Sequence, residues 1–503
     1  MNNSAPSDLS DSPFPTSQPK ADGVLIALLI LALGAGAFLR LLFPSDVEFK
    51  ADELLGLLVG VEWLQSPCIA THGMVSSVGI PNPPITVYLF ATLYGLSKGD
   101  PEVATMLVAV WNLVGLALGG LWLYAKRETF GRLWSFWILA FVCVNPWTVI
   151  YSRKIWAPSL LAPFVIGAIA GLSTIWSERW DWKKVVGGLL CFSIASQIHM
   201  SGIFWSIGLA VGILVVWPSN RRAKLPLFLI IASAIFLLLY VPWMMHLFER
   251  SIGTPIHAGE SIETRAIRTL CRFIPVWFGL VWPEVSFYFA PDEAKDFFNE
   301  LGIVWKILQI VATTIAGGVF FFALVRLTID TARRKSSQIL NAFPIAMVVF
   351  LVLPILSRSP VNRYYGAIFI WPAALICGFG WREVEKFFQK GRWGRRPLLV
   401  AAALVLVGCV WSASGFLIQI HRAAGARGEY GPALRVSREE VLRVPPGIAL
   451  NRSALSEIRY LFDLMNHIPI VPAAYSNRFA PSPLISSDEA TTSGYGPSQA
   501  GNP

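Results

Sequence analysis

Apolar stretches long enough to cross a membrane recur along this chain, and they limit its fold more than any other feature. A helix needs roughly 20 mostly apolar residues to span the hydrocarbon core of a bilayer. The chain holds eleven such stretches, at 24–43, 102–125, 132–150, 157–176, 185–200, 201–217, 225–243, 303–328, 339–357, 364–381 and 398–420. Only 14% of its residues are charged, against about 25% in soluble proteins. The sequence therefore predicts an all-α polytopic membrane protein with about eleven transmembrane helices.

The positions of the basic residues predict the topology. The chain has 41 Lys and Arg residues against 31 Asp and Glu, a net charge of +10. If the short apolar segment 83–97 lies on the outer surface and does not span, most of the excess positive charge lies in five connections on one side of the membrane. The positive-inside rule assigns that side to the cytoplasm. We therefore expect a cell-membrane protein with a cytoplasmic N-terminus and an extracytoplasmic C-terminus, and the basic excess indicates orientation, with no nucleic-acid partner.

This topology divides the chain into regions of different character. The predicted regions are a disordered cytoplasmic N-terminus at 1–23, a transmembrane domain at 24–420 with large outer loops at 44–101 and 244–302, a small soluble α/β appendage at 421–479, and a disordered tail at 480–503. The first loop is expected to carry a helix beside the membrane. The second has an amphipathic, aromatic stretch that is typical of a helix lying on the membrane surface.

An acidic pair, Asp52 and Glu53, follows the first span and precedes an apolar stretch with helical spacing, 54–64. A carboxylate held close to the bilayer can be desolvated and tuned as a general base for a membrane-bound substrate. The alternative is that Asp52 is the N-cap of a helix that starts at Glu53 and binds its free backbone N–H groups. The residue pattern by itself favours the cap, and both roles can coexist.

Two cations, Arg153 and Lys154, lie in the short outer connection after Tyr151, on the side where the topology rule disfavours them. Arg suits bidentate phosphate binding and Lys a point-charge contact, so we expect the pair to hold a lipid phosphate. Arg358 and Arg363 form a second outer pair with the same interpretation. For both pairs the alternative is snorkelling to the lipid headgroups.

Gln197 and His199 form a polar group at the outer turn between two spans, a pattern more typical of a satisfied turn than of a site. Cys68 and Cys271 are both predicted outside, where disulfides form, but nothing in the sequence brings them together.

No spacing typical of a structural metal site occurs, and no cofactor is certain. Clustered carboxylate oxygens could still share a divalent ion such as Mg²⁺ or Mn²⁺. The candidates for such a cluster are Asp46, Glu48, Asp52 and Glu53.

The centres of the predicted spans hold almost no ionisable residues, since Arg40, Lys306 and Arg326 lie near span ends. An ion-coupled transporter usually needs carboxylates or broken helices at the midplane. The polar chemistry collects on the outer face, which favours an enzyme acting on a lipid-linked substrate. A transporter or flippase for lipid-linked saccharides is the alternative, and a non-catalytic scaffold is a third hypothesis.

Four features, in order along the chain, resemble the C-type (GT-C) integral-membrane glycosyltransferases. They are Arg40 at the end of the first span, FKADELL at 49–55, NPPITVYLF at 82–90 and NPWTVIYSRKIW at 145–156. The nearest group contains the protein O-mannosyltransferases and the lipid A aminoarabinose transferase, and is glycosyltransferase family 39-like. The resemblance covers about residues 24–220 and extends to the later spans in layout.

The resemblance implies a GT-C fold and an inverting hexosyl or pentosyl transferase. Such enzymes move a sugar from a polyprenyl-phosphate donor, here to a hydroxyl or amine of a lipid, glycan or protein acceptor. By the same resemblance Asp52 is the catalytic base, and we expect Glu53 to orient it or bind the acceptor.

The remaining site residues are predicted from this chemistry and from the matching positions. The donor phosphate is expected to contact Arg153, Lys154 and Arg363, and the substrate Tyr151, Gln197, His199 and Asn82. The chain departs from the family twice: Asn82 stands where a Lys is usual, and Pro158 and Ser159 stand where many members have a second carboxylate.

Overall fold

The computed structural model of the chain describes most of the sequence. The described residues are 19–74, 81–249, 261–264, 266–267, 269–271, 288–333, 338–357, 366, 368–389, 394–428, 430–444 and 456–472. Several predictions fall outside them: both terminal tails up to 18 and from 473, most of the predicted surface helix in loop 244–302, and the cations Arg358 and Arg363.

The first half of the chain is a series of α-helices joined by short turns. These are α1 (Pro19–Leu41), α2 (Ala51–Gln65), α3 (Ile85–Ser97), α4 (Pro101–Ala125), α5 (Arg127–Phe130), α6 (Arg132–Val144), α7 (Pro146–Tyr151), α8 (Ala162–Leu172), α9 (Trp182–Ile198), α10 (Met200–Val215) and α11 (Leu225–Glu249). Several begin on the residues that favour a helix start. Asp100 caps α4 by accepting from the N–H groups of Glu102 and Val103, and Asn145 caps α7 in the same way, each just before a proline.

The second half continues as long helices and ends in a small mixed region. Its elements are α12 (Pro291–Glu300), α13 (Gly302–Ala332), α14 (Phe343–Ser357), α15 (Ile370–Gln389), α16 (Arg396–Ala423), β1 (Gly425–Ala426), β2 (Gly431–Pro432), α17 (Leu434–Leu442) and α18 (Ser456–Met465). The two strands pair antiparallel, and the small α/β appendage predicted after the last span is present.

Six helices of the described part are long and apolar enough to cross a membrane, and further helices of 10–17 residues are also apolar. Each of the eleven predicted stretches coincides with helical structure, although some are divided, such as 132–150 between α6 and α7. The segment Ser219–Leu247 has only 11% of its most apolar window buried inside the protein. Because such a surface is unsuited to water, the chain is a multi-pass membrane protein, as predicted.

Glycines allow the helices of the bundle to approach closely, as is common where helices pack in a membrane. A Cβ built on Gly208 of α10 would lie 2.5 Å from the carbonyl oxygen of Ala346 in α14. In the same way a Cβ on Gly60 of α2 would lie 2.5 Å from the carbonyl oxygen of Phe90 in α3. The second contact joins the two short helices of the first loop into one unit beside the bundle.

Candidate functional site

The segment between α1 and α2, residues 42–50, runs beside the chain that follows α16. Glu48 and Ala433 form an isolated antiparallel bridge. The N–H of Leu434 donates to the carbonyl of Val47 at 2.9 Å. The loop after α1 and the C-terminal appendage therefore form a common structure, although they lie far apart in sequence.

Side chains reinforce this contact around Asp46, which is buried. Its carboxylate accepts from Nε of Arg435 at 2.5 Å and lies 2.5 Å from Nδ1 of His421. The hydroxyl of Tyr430 donates to the carbonyl oxygen of Asp46 at 2.5 Å. We call Asp46, His421, Tyr430 and Arg435 the Asp46 clamp. Its three C-terminal members gave no signal in the sequence, because only the folded chain brings them to the loop.

Glu48 lies at the centre of a cluster of charges. It is 3% exposed, and its two carboxylate oxygens lie 2.8 Å from Nζ of Lys50 and 2.6 Å from Nζ of Lys154. Nζ of Lys154 is also 3.9 Å from Oε1 of Glu53. We call Glu48, Lys50, Glu53 and Lys154 the ionic cluster. Sequence reasoning considered Glu48 only as a metal ligand and missed Lys50.

The start of α2 positions the predicted acidic pair. The helix begins at Ala51 with Lys50 as N-cap residue, and Oε2 of Glu53 accepts from the backbone N–H of Lys50 at 3.1 Å. The alternative that Asp52 caps a helix starting at Glu53 is therefore wrong. The extended backbone of Lys50, and the hydrogen bond that its N–H donates to the carboxyl group of Glu53, place the helix start earlier. Asp52 lies in the first turn with its side chain exposed, whereas Glu53 is buried.

Burial, followed by the negative charge of Glu48, raises the pKa of Glu53 to about 8. The ammonium of Lys154 acts in the opposite direction but lies closer to Glu48. At neutral pH Glu53 is therefore largely protonated, while the adjacent Asp52 is accessible. The two carboxyl groups of the pair have different environments, which suits a division of roles between them.

Lys154 lies almost entirely inside the protein. Desolvation by itself lowers its pKa, but the carboxylates of Glu48 and Glu53 outweigh this and raise it. Nζ of Lys154 also lies 5.2 Å from the centre of the Trp156 ring and 5.9 Å from that of Tyr288, distances typical of cation–π contacts. Lys154 is therefore a permanent cation beside the acidic pair.

The neighbouring Arg153 has a structural role in this structure. It is 4% exposed, and its guanidinium donates to backbone carbonyls at the end of α1, including that of Phe43 at 2.8 Å and that of Leu42. The last carbonyls of a helix have no partner within the helix, and a cation there is favourable. Arg153 therefore fixes the end of α1, from which the loop with Asp46 and Glu48 departs.

The predicted substrate-binding residues are spread over two places. The ring of Tyr151 lies 5.7 Å from that of Trp156, which in turn lies 6.5 Å from that of His199. Nδ1 of His199 caps α10 by accepting from the N–H of Ser201. The side-chain amides of Gln197 and Asn82 donate to the carbonyls of Leu239 and Met74, at 2.9 and 3.0 Å. The structure therefore connects Tyr151 and His199 to the ionic cluster through Trp156, and gives Gln197 and Asn82 backbone partners.

Two further predictions concern thiols and metals. Cys68 and Cys271 are both exposed free thiols. In the described ranges no three His, Cys, Asp or Glu side chains are gathered as metal ligands. Two of the four carboxylates considered for a divalent ion already have cationic partners. Asp46 binds Arg435, and Glu48 binds two lysines. A divalent-cation requirement stays a prediction.

Comparisons with known proteins identify the fold. No protein-family model matches the sequence, and no curated protein matches it either. A crystal structure of ArnT from Cupriavidus metallidurans bound to undecaprenyl phosphate is similar, with a TM-score of 0.53 and 14% identity over 90% of this chain and 86% of that one. The apo structure of the same protein has a TM-score of 0.54, with the same identity and coverage. An oligosaccharyltransferase from Archaeoglobus fulgidus gives 0.49 at 14% identity, over 88% of this chain and 61% of that one. The chain therefore has the GT-C fold of ArnT, as the sequence resemblance implied.

Proposed function

We propose that this protein is a membrane glycosyltransferase. It moves a sugar from a polyprenyl-phosphate-linked donor to a hydroxyl or amine acceptor, with inversion, on the extracytoplasmic face. The observation that carries the proposal is the exposed carboxylate of Asp52 beside the buried Glu53, whose Oε1 lies 3.9 Å from Nζ of Lys154, in a chain with the fold of ArnT. The ArnT structure bound to undecaprenyl phosphate supports a polyprenyl-phosphate donor by analogy.

In this proposal Asp52 is the general base. An acceptor hydroxyl or amine loses a proton as it attacks C1 of the sugar, and a positioned carboxylate can accept that proton. Asp52 is exposed in the first turn of α2. Glu53, held by the N–H of Lys50, fixes the orientation of that turn and offers a protonated carboxyl group to the acceptor.

Negative charge gathers on the polyprenyl phosphate as it leaves, and fixed cations lower the energy of that step. Lys154 supplies positive charge next to the acidic pair, and we retain Arg363 as a phosphate contact predicted from the sequence. Arg153 was predicted for the same role, but its guanidinium is bound to backbone carbonyls at the end of α1 and supports the site from there. Tyr151, Asn82, Gln197 and His199 keep their predicted roles in substrate binding.

The test is transfer of label from a polyprenyl-phosphate sugar by membranes that contain the protein. We expect Asp52→Asn to reduce the transfer rate at least a hundredfold, since general-base catalysis contributes about 10²–10⁴. Asp181→Asn is the matched control, because Asp181 is the N-cap of α9 and asparagine caps as well.

Three outcomes would contradict the proposal at different points. If the folded Asp52→Asn variant transfers sugar at the wild-type rate, Asp52 is not the base. If transfer is lost only in Glu53→Gln, Glu53 is the base. Wild-type membranes that move the lipid-linked sugar between leaflets without transferring it would instead identify a flippase.

A further inference from the structure

A long groove on the outside of the helix bundle takes no part in the proposed transfer. It lies between the end of α12 and the C-terminal half of α16, and its volume is about 650 Å³. Its wall on α16 extends from Leu406 to Arg422. Pockets that bury a small organic molecule measure about 300–1,000 Å³, so the groove is large enough to hold a hydrocarbon chain.

Most of the groove is apolar and faces the membrane. Val407, Val410, Trp411 and Ile418 line it and are exposed, and α16 is one of the six helices long and apolar enough to cross a membrane. From Leu406 to Ile418 the helix rises about 18 Å at 1.5 Å per residue. One leaflet of the hydrocarbon core is about 15 Å deep, half of about 30 Å. The apolar part of the groove therefore matches one acyl chain of one leaflet.

The opposite wall of the groove is fixed by packing. Phe297 of α12 is buried, and its ring lies 4.9 Å from that of Phe289. A Cβ built on Gly415 of α16 would lie 3.1 Å from Cδ2 of Leu301, so the glycine allows the turn after α12 to approach α16 closely. The groove is therefore preformed in this structure.

Two opposite charges line the same groove. Glu300 is the last residue of α12, and Arg422 lies in the last turn of α16, at the end that the proposed topology puts on the extracytoplasmic face. Nearby, Arg427 binds Asp292 and Glu293. Neither Glu300 nor Arg422 belongs to an ion pair within the described ranges, although both are exposed at one groove.

These charges specify the headgroup of the lipid. A guanidinium matches the oxygens of a phosphate, and a carboxylate accepts the N–H groups of a primary ammonium. We propose that the groove binds one phospholipid with an amine-bearing headgroup, of the phosphatidylethanolamine type. Its phosphate contacts Arg422, its ammonium contacts Glu300, and one acyl chain follows Trp411 towards Leu406. An anionic lipid without an amine would leave Glu300 unmatched, and a choline headgroup has no N–H to donate to it.

This lipid is separate from the substrates of the proposed transfer. The buried face of α16 carries Phe416, whose ring lies 5.4 Å from that of Tyr288, and Tyr288 in turn lies 5.9 Å from Nζ of Lys154. The groove and the ionic cluster therefore lie on different sides of α16. The bound lipid supports the outer face of a helix whose inner face packs beside the candidate site.

The experiment measures the thermal unfolding of the purified full-length protein in detergent during titration with dioleoyl phosphatidylethanolamine, dioleoyl phosphatidylglycerol and dioleoyl phosphatidylcholine in turn. A ligand of the folded state raises the melting temperature in a saturable way. We expect the ethanolamine lipid to bind most tightly. Arg422→Gln should weaken the binding of the ethanolamine and glycerol lipids alike, by about two- to fivefold, the effect of an exposed ion pair. Glu300→Gln should weaken only the ethanolamine lipid and remove its preference over the glycerol lipid.

A second variant, Val407→Trp, tests the groove itself. The indole would occupy the path of the chain and should remove the saturable response. Val400→Trp is the matched control, since Val400 is exposed on α16 outside the groove. Arg396→Gln, exposed at the other end of α16, is the control for charge. Both controls should bind the ethanolamine lipid as the wild type does.

The outcomes distinguish the headgroup from the chain. Equal responses to the three lipids that persist in Arg422→Gln and Glu300→Gln would overturn the headgroup assignment, and so would tighter binding of the glycerol lipid. An undiminished response in the folded Val407→Trp variant would overturn the groove. Both charged side chains are exposed, so their variants should fold even where Val407→Trp does not. The readout is lipid binding, so a protein without transfer activity would leave this site standing and remove only the transferase function.

Discussion

The ammonium of Lys154 lies 2.6 Å from a carboxylate oxygen of Glu48; the side chain of Glu48 is 3% exposed and that of Lys154 is 12% exposed. Glu48 belongs to the loop after α1, whereas Lys154 follows α7. A buried ion pair is not strong evidence for stability, because both charges have lost their hydration, but it leaves a large penalty when one partner is removed. The contact therefore holds the two segments of the candidate site together.

Replacing Lys154 by Met should destabilise the protein by about 1–3 kcal/mol, because one oxygen of the buried Glu48 carboxylate would lose its partner while Lys50 stays at the other. The double variant Lys154→Met with Glu48→Gln should recover much of this loss. Chemical denaturation in detergent measures both. Additive losses in the double variant would contradict a direct coupling between the two residues.

The raised pKa of Glu53 predicts how stability depends on pH. Its ordinary value is 4.5 and its value in the folded protein is about 8, so the folded state binds the proton more tightly than the unfolded state. The stabilising contribution of this group is present below about pH 4.5 and is lost as the pH rises through 8. Glu53→Gln should therefore make the melting temperature less dependent on pH across this interval.

The control for this measurement is Glu128→Gln, since the side chain of Glu128 is 80% exposed. It should leave the pH profile unchanged. A wild-type profile that rises between pH 5 and 8, with the rise absent in Glu53→Gln, would show that the pKa of Glu53 is lowered.

The Asp46 clamp predicts that the C-terminal appendage depends on the first loop. Arg435→Gln removes the charged bond to the buried carboxylate of Asp46 and should cost about 1–3 kcal/mol. We expect faster proteolysis of the appendage and a lower transfer rate. Arg443→Gln, at the exposed end of α17, should behave as the wild type. Equal cleavage of both variants would contradict the clamp.

The exposed thiol of Cys68 tests the proposed orientation in the membrane. With the first loop outside, a membrane-impermeant maleimide added to intact cells should label Cys68. Labelling should fall in Cys68→Ser, and Cys271, also predicted outside, should account for the remainder. A thiol introduced by Glu178→Cys in a Cys68→Ser, Cys271→Ser background should react only after the cells are opened. The reverse labelling pattern would show that the protein has the opposite orientation in the membrane.

The bundle could be predicted from local sequence because hydrophobic length is a property of each segment alone. The stretch 303–328 predicts α13 without reference to any other residue. The Asp-Glu pair, the helix after it and the basic pair after Tyr151 were predicted in the same way, from residue type and position near a span. The predicted boundaries are less accurate, because the hydrogen bond from the N–H of Lys50 to Glu53 moves the start of α2 to Ala51.

Local sequence is enough to predict a polytopic helical membrane protein with its polar residues at the ends of the spans, since the bilayer acts on each apolar segment separately. Which of those polar groups contact one another depends on how the chain folds. In the folded chain Arg40 donates to a carbonyl of α6, and Arg153 donates to carbonyls at the end of α1. Lys154 lies between Glu48 and Glu53. These pairings depend on how the bundle packs, because a buried charge takes as its partner whatever the fold brings within reach.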